Sequence, residues 1–188
     1  MTLLRQVWAP LVLASLLGCT AAPDRYVVPT PAATDRQSIA FRTVEIREVS
    51  LPAYAASDEI SLQDEGGRLA TVGDGLWADT PERAVSLALA RHLAELSGRT
   101  VASAPWPLES FPDARLDVRF ETLTAEETGT FRARGQYFVA VGDGRRERAG
   151  LFDLAVPFDP AGGAGAIATA RGQIILDLAR DLAARALR

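Results

Sequence analysis

One cysteine, Cys19, and one histidine, His92, are the only thiol and imidazole in a chain of 188 residues. Nucleophilic catalysis by a Cys–His or Ser–His–Asp arrangement would therefore have to run through His92. A lone cysteine also excludes an internal disulfide framework and a cysteine-rich zinc site. His92 stands seven residues after Val85 and four before Leu96, on the apolar side of a helical repeat. A packed histidine at the edge of a core is the plainer reading there, and its neighbours Arg91 and Glu95 read as helix-surface charges. The acidic pair Glu126-Glu127 falls in a turn signal and reads as solvated. Gly162-Gly163-Ala164-Gly165 lacks the Lys-Ser/Thr that completes a phosphate loop, and it follows no strand-to-helix dinucleotide pattern. It is expected to be a flexible hinge. No residue set points to catalysis or to a metal, so the chain is expected not to be an enzyme and to carry no cofactor.

Cys19 has a more specific setting. Residues 1–18 carry a single charge, Arg5, and a run from Val7 to Leu17 that is apolar apart from Pro10 and Ser15. That run is shorter than the roughly 20 residues needed to span a bilayer as a helix. It has the form of a secretory signal. It ends in Leu16-Leu17-Gly18-Cys19, which resembles a bacterial lipobox. The resemblance implies a diacylglycerol thioether on Cys19 and N-acylation of the new terminus. Two or more acyl chains give stable membrane attachment where one gives only marginal binding. Thr20 in place of Asp points, by enteric-type sorting, to the outer membrane.

Charge excludes other partners. All 20 basic residues are arginine against 24 acids, and removal of the signal moves the balance from −4 to −5. A nucleic-acid binder would show a basic face instead. The cluster Arg145-Arg146-Glu147-Arg148 follows a turn. It reads either as a contact for anionic headgroups or an acidic partner, or more plainly as a solvated hairpin tip.

The elements that carry these residues follow from pattern. Residues 19–38, with their Pro, Ala and Thr, read as a lipidated tether of about 60 Å maximum reach at ~3.3 Å per residue. Tyr26-Val27-Val28 is expected to interrupt it as a short extended contact. The domain proper, 39–188, starts with an alternating segment, Ile39 to Val49, whose register slips after Phe41. Glu59–Gln63 and Arg68–Val72 flank Asp64-Glu65-Gly66-Gly67 as a hairpin. Gly73-Asp74-Gly75 is expected to break the chain. A helix follows with Thr80 as N-cap, Pro81 at its first position and Gly98 as its stop. Its apolar face is Val85, Leu89, Leu93 and Leu96. Val101–Trp106 reads as a short strand. Ala114–Leu123, Thr130–Val141 and Arg148–Phe158 alternate as an antiparallel meander. A last helix is expected from about Ala166 to Leu187, with Ile167, Ile174, Leu178 and Leu182 inward. The sum is a single α/β domain with a mixed, largely antiparallel sheet and two main helices. Tyr54, Trp77 and Trp106 stand at element ends, as partner contacts or as core edges.

The order of motifs resembles the ABC-type transport auxiliary lipoproteins, the PqiC-like family. It runs from the lipobox through Tyr26-Val27-Val28-Pro29, Leu51-Pro52-Ala53-Tyr54, Trp77 before its helix and Pro105-Trp106-Pro107 to the strand Leu116–Glu121. The resemblance implies a three-layer fold related to the N-terminal domain of TolB-like periplasmic proteins. It also implies an outer-membrane-anchored accessory lipoprotein, with its domain in the periplasm. Its partner would be an MCE-domain protein that moves phospholipid between membranes. A symmetric ring partner would favour a homo-oligomeric ring of this domain. The other function class is a stand-alone lipoprotein that holds a lipid or small ligand in a pocket of its own.

Overall fold

A strand with one buried face alternates inward and outward residues, and Ala114–Glu126 does so over most of its length. This strand, β6, buries Ala114, Leu116, Val118 and Phe120 and exposes Arg115, Arg119 and Glu121. The computed structural model describes residues 22–188 apart from Asp143, Arg145 and Arg146. The signal, Cys19 and the core of the 145–148 basic cluster thus lie outside the described residues.

Eight strands form one sheet around β6. Strand β1 is Arg25–Tyr26, β2 Thr43–Ile46, β3 Glu59–Gln63, β4 Leu69–Trp77 and β5 Thr100–Ser103. After β6 come β7, Thr130–Val141, and β8, Arg148–Pro157. One edge of β6 pairs antiparallel with β7 along its whole length, and β7 with β8. Its other edge is shared. Val44–Ile46 of β2 run parallel to Ala114–Leu116, and Leu62–Gln63 of β3 run parallel to Ala125–Glu126. Beyond β2 lies β5, and beyond β3 lie β4 and then β1. The meander and the 59–72 hairpin are therefore as the alternation predicts.

Helix α1, Pro81–Ser97, ends on Gly98 in the left-handed conformation (φ +65°), whose N–H donates to the Ala94 carbonyl. Thr80 occupies the N-cap position, but its hydroxyl caps nothing; Pro81 at the first position leaves no N–H there to satisfy. Helix α2 is Gly163–Asp181, continued by a π-helical turn over Leu182–Ala186. Both helices pack against each other and on the same face of the sheet, α1 over β2 and β5, α2 over β7 and β8. The other face stays charged and open, with Arg115, Arg119, Glu121 and Arg134 exposed. The single α/β domain with a mixed sheet and two helices is what the structure has. That open face is not purely charged: Phe138 lies beneath the Arg119 guanidinium, and Leu151 is 68% exposed.

Three local expectations change. Strand β4 continues past Gly73-Asp74-Gly75 only as a bulge: its pairing with β3 jumps from Thr71 opposite Ser61 to Leu76 opposite Glu59, and Gly73 is left-handed (φ +60°). A Cβ on Gly75 would press on Ala164 and the Tyr26 ring at 3.3 Å, so the glycine allows close packing there. The glycines at 162, 163 and 165 form no hinge. They lie in a short 3₁₀ turn, Pro160–Gly162, and the first turn of α2. The strand expected over 39–49 shrinks to β2, although Ile39, Phe41 and Val49 are buried as the pattern requires.

The expected tether is the largest difference. From Asp24 to Gln37 the chain lies on the domain as an extended strap. Leu76 and Ala78 N–H groups donate to the Asp24 and Tyr26 carbonyls at 2.8 and 2.9 Å. Asp35 pairs with Arg180 at 3.0 Å, and Gln37 N–H donates to the Leu96 carbonyl at 2.9 Å. Over Pro31–Gln37 every second residue is partly buried. A proline-rich composition does limit helix and central-strand pairing, but it leaves an extended chain free to lie in a groove.

Candidate functional site

The strap, α1, α2 and the end of β4 line a half-open cavity of about 410 Å³. Small residues make it. Ala84 and Ala88 on α1 leave room on that helix, and Gly172 lets the strap cross α2 closely. A Cβ on Gly172 would stand 2.2 Å from the Pro29 carbonyl oxygen. Tyr26, Val28 and Pro29 form the outer wall. Val85 and Ile175 supply apolar floor, and exposed Val27 and Leu87 flank the opening.

Two polar side chains of this wall are buried; the others, Tyr26, Thr30, Asp79 and Arg91, are partly or fully exposed. Arg171 is 3% exposed, and its guanidinium stacks on the Trp77 ring at 4.4 Å. Such a contact is worth up to ~2 kcal/mol when desolvated. Its Nη2 has no hydrogen-bond partner among the described residues. Burial pushes the guanidinium pKa down to about 10, and the Glu82 charge opposes that shift. The group therefore stays cationic at neutral pH. His92 is fully buried, and neither ring nitrogen has a partner among the described residues. Burial lowers its pKa, Glu95 opposes, and Arg91 and Arg180 add to the lowering. It is a neutral imidazole with one N–H to donate and one nitrogen to accept.

The three aromatic candidates separate. Trp77 is buried, and Tyr54 is half-buried against the core with its hydroxyl accepting the Leu123 N–H at 3.3 Å. Both line a second, much smaller cavity that Arg171 also touches. Trp106 lies apart, half-buried in the loop between β5 and β6. Its indole N–H donates to the Ser110 carbonyl, and its backbone N–H donates to Glu45, which Arg115 holds at 2.7 Å. Leu108 and Phe111 on the same loop are 49% and 86% exposed. Tyr54 and Trp77 are core-edge residues, and Trp106 belongs to the surface loop. The sequence reading placed His92 on the packed face, where it is, and missed Arg171. The signal for Arg171 was present: it falls four residues after Ile167 and three before Ile174, on the inward stripe of α2.

Among the described residues no group of three or more His, Cys, Asp or Glu could hold a metal. No helix among them is long and apolar enough to cross a membrane.

The fold and site define a small α/β domain that holds a half-open, mostly apolar cavity under an N-terminal strap. A family described as the ABC-type transport auxiliary lipoprotein component matches over residues 26–183, and the chain belongs to it. The match begins at the strap, not after it. Two solved structures share the fold. One, of an uncharacterized protein, is 17% identical with a TM-score of 0.70, covering 88% of this chain and 99% of that one. The other, protein XCC0632 from Xanthomonas campestris of family DUF330, is 15% identical with a TM-score of 0.61, covering 84% and 91%. No curated protein matches the chain.

Proposed function

We propose that the chain is a non-enzymatic accessory lipoprotein of an MCE-type envelope lipid transport system. Diacylglycerol and an N-acyl chain on Cys19 anchor it in the outer membrane, and the periplasmic domain docks or stabilises the transport assembly. Membership of a family of transport auxiliary lipoproteins is the observation that carries this reading. The lipobox-like Leu16-Leu17-Gly18-Cys19 supplies the anchor.

The docking surface we assign is the loop 104–113. Phe111 and Leu108 present large apolar side chains to solvent, and Glu45 and Arg115 hold the loop beneath them. Aromatics in such positions dominate interface energetics. The test is recovery of partners with the lipid-anchored chain from membranes. Co-purification of an MCE-domain protein that is lost in Phe111→Ala with Trp106→Ala supports the assignment. Recovery of no MCE-domain protein overturns the transport reading. Bound lipid with no protein partner would instead mark a stand-alone lipid-binding lipoprotein. A ring assembly would show as a discrete oligomer mass by light scattering, and a monomer at high concentration counts against it.

A further inference from the structure

Arg171 is a cation enclosed by its own fold. An unpaired buried charge costs several kcal/mol unless a counter-charge or full hydrogen bonding compensates it. Among the described residues no carboxylate lies within ion-pair distance of it, and Glu82 acts only through space. Trp77 covers one side of the guanidinium, and Nη2 is left without an acceptor. His92, on the same cavity wall, is likewise fully buried and unpartnered. Two orphaned buried polar groups on one cavity mark a place where an acceptor from outside the chain belongs.

The rest of the cavity says what that acceptor is attached to. Val28, Val85, Ala88 and Ile175 offer carbon and no side-chain hydrogen-bonding groups. The remaining charged lining residues, Asp79 and Arg91, are exposed, Asp79 being paired with Arg83, so a sugar or base would find few partners inside. A volume of about 410 Å³ sits at the low end of small-ligand sites, ~300–1,000 Å³, which suits one acyl chain rather than two. Val27 and Leu87 at the opening are 76% and 42% exposed and make an apolar entrance.

We propose that this cavity binds a single-chain anionic amphiphile, with its headgroup on Arg171 and His92 and its acyl chain between the strap and α1. The shared chemistry is an anion on one hydrocarbon chain, and a fatty carboxylate and a lysophospholipid phosphate are its two sources. The proposal goes beyond the docking role and does not depend on it. A failed partner recovery leaves it standing, and its own failure leaves docking standing.

Trp77 gives a direct probe. The chain has three tryptophans, at 8, 77 and 106, so the full chain with Trp8→Phe and Trp106→Phe reports from the cavity wall alone. Extracted in maltoside, it is titrated with mid-chain dibrominated stearate, with the corresponding methyl ester, and with a lysophosphatidylglycerol carrying the same brominated chain. Saturable quenching is expected for stearate, the lysophospholipid or both. Quenching by the ester should be at least about tenfold weaker, the loss expected for one charge-assisted hydrogen bond. Whichever anion binds identifies the source. Arg171→Gln should bring the acid down to the ester's level, and Ala88→Phe should abolish quenching by filling the acyl path. Equal quenching by acid and ester in the unchanged cavity overturns the proposal with no reliance on any variant's folding. So does quenching that never saturates, or none from either anion.

Discussion

Gly172→Ala separates two effects of opposite sign. The residue lies inside α2, where alanine is favoured over glycine by ~0.8–1.0 kcal/mol. The added Cβ would meet the Pro29 carbonyl oxygen at 2.2 Å and its carbon at 3.2 Å. Real Cβ atoms essentially never approach closer than 3.0 Å, so one side must give way by about 1 Å. Overpacking in a sealed core costs ~1–3 kcal/mol. Here the obstacle is a strap held by a two-residue parallel pairing, one part-exposed ion pair and a few backbone hydrogen bonds. It lifts at a cost that cannot exceed its own docking energy, while the helix keeps its gain. Global stability should therefore change by less than ~1 kcal/mol in urea denaturation. The local change should be large. Ala78 N–H donates to the Tyr26 carbonyl and Leu76 N–H to that of Asp24, so both amides should exchange with solvent at least about tenfold faster, the equivalent of ~1.4 kcal/mol of local opening. Gln37 N–H, bonded to Leu96 at the far end of the strap, should keep its protection. Unchanged exchange at Ala78 and Leu76 would refute the close crossing of strap and α2. A global loss above ~2 kcal/mol would refute the claim that the strap lifts independently.

Gly135→Ala makes the contrasting case: its Cβ would lie 2.1 Å from the Arg119 carbonyl oxygen and 2.7 Å from the Phe152 ring. Neighbours on both sides are fixed strands, so denaturation should show a global loss of about 2–3 kcal/mol or more. His92 has a folded pKa below its unfolded value near 6.5, so as pH falls through 6.5 the unfolded chain takes up the proton first. The stability from the neutral ring is complete above that pH and declines below it, by at most ~1.4 kcal/mol per unit. His92→Leu should flatten this acid slope and raise stability near neutrality by ~1–2 kcal/mol, since it removes two unsatisfied ring nitrogens. Denaturation curves at about pH 7.5 and 5.5 check both parts, and a variant less stable than the parent at both would contradict them. Mass spectrometry of the mature terminus should find Cys19 carrying diacylglycerol and an N-acyl chain. An unmodified Cys19 would remove the anchor.

The sequence announces elements where signals are local. Helix α1 begins and ends at Pro81 and Gly98 because a proline and a left-handed glycine act within one turn. The meander is legible because β6, β7 and β8 are each ten residues or longer and alternate over most of their length. What escapes is whatever a distant partner decides. Residues 24–37 look like a tether by composition, yet their backbone groups find Leu76, Ala78 and Leu96, which are 50 to 60 positions away. Gly73 and Gly75 look like a break, and they do interrupt the pairing with β3, yet β4 resumes beyond them with Leu76 opposite Glu59. The cavity could not be read at all, since it arises where the strap meets two helices. One of its residues could have been: Arg171 is an arginine on an apolar stripe, a pattern with a cost that asks for a reason.

The docked strap changes what an anchor at Cys19 can do. A free tether over 19–38 would let the domain range about 60 Å from the bilayer. With the chain held from Asp24 onward, an acylated Cys19 would stand five residue steps from the first backbone contact, a reach of about 17 Å at ~3.3 Å per residue. A domain anchored that close to a bilayer could not range far to meet a partner. Such an anchor would keep the cavity near the bilayer, because Tyr26, Val28 and Pro29 line it and follow Cys19 within ten positions. An amphiphile leaving the membrane would then meet the apolar rim at Val27 before it met bulk water, and its headgroup would arrive beside the one buried guanidinium of the site. Strap and anchor therefore act together, since freeing the strap at Gly172 would lengthen the tether and open the cavity in a single step.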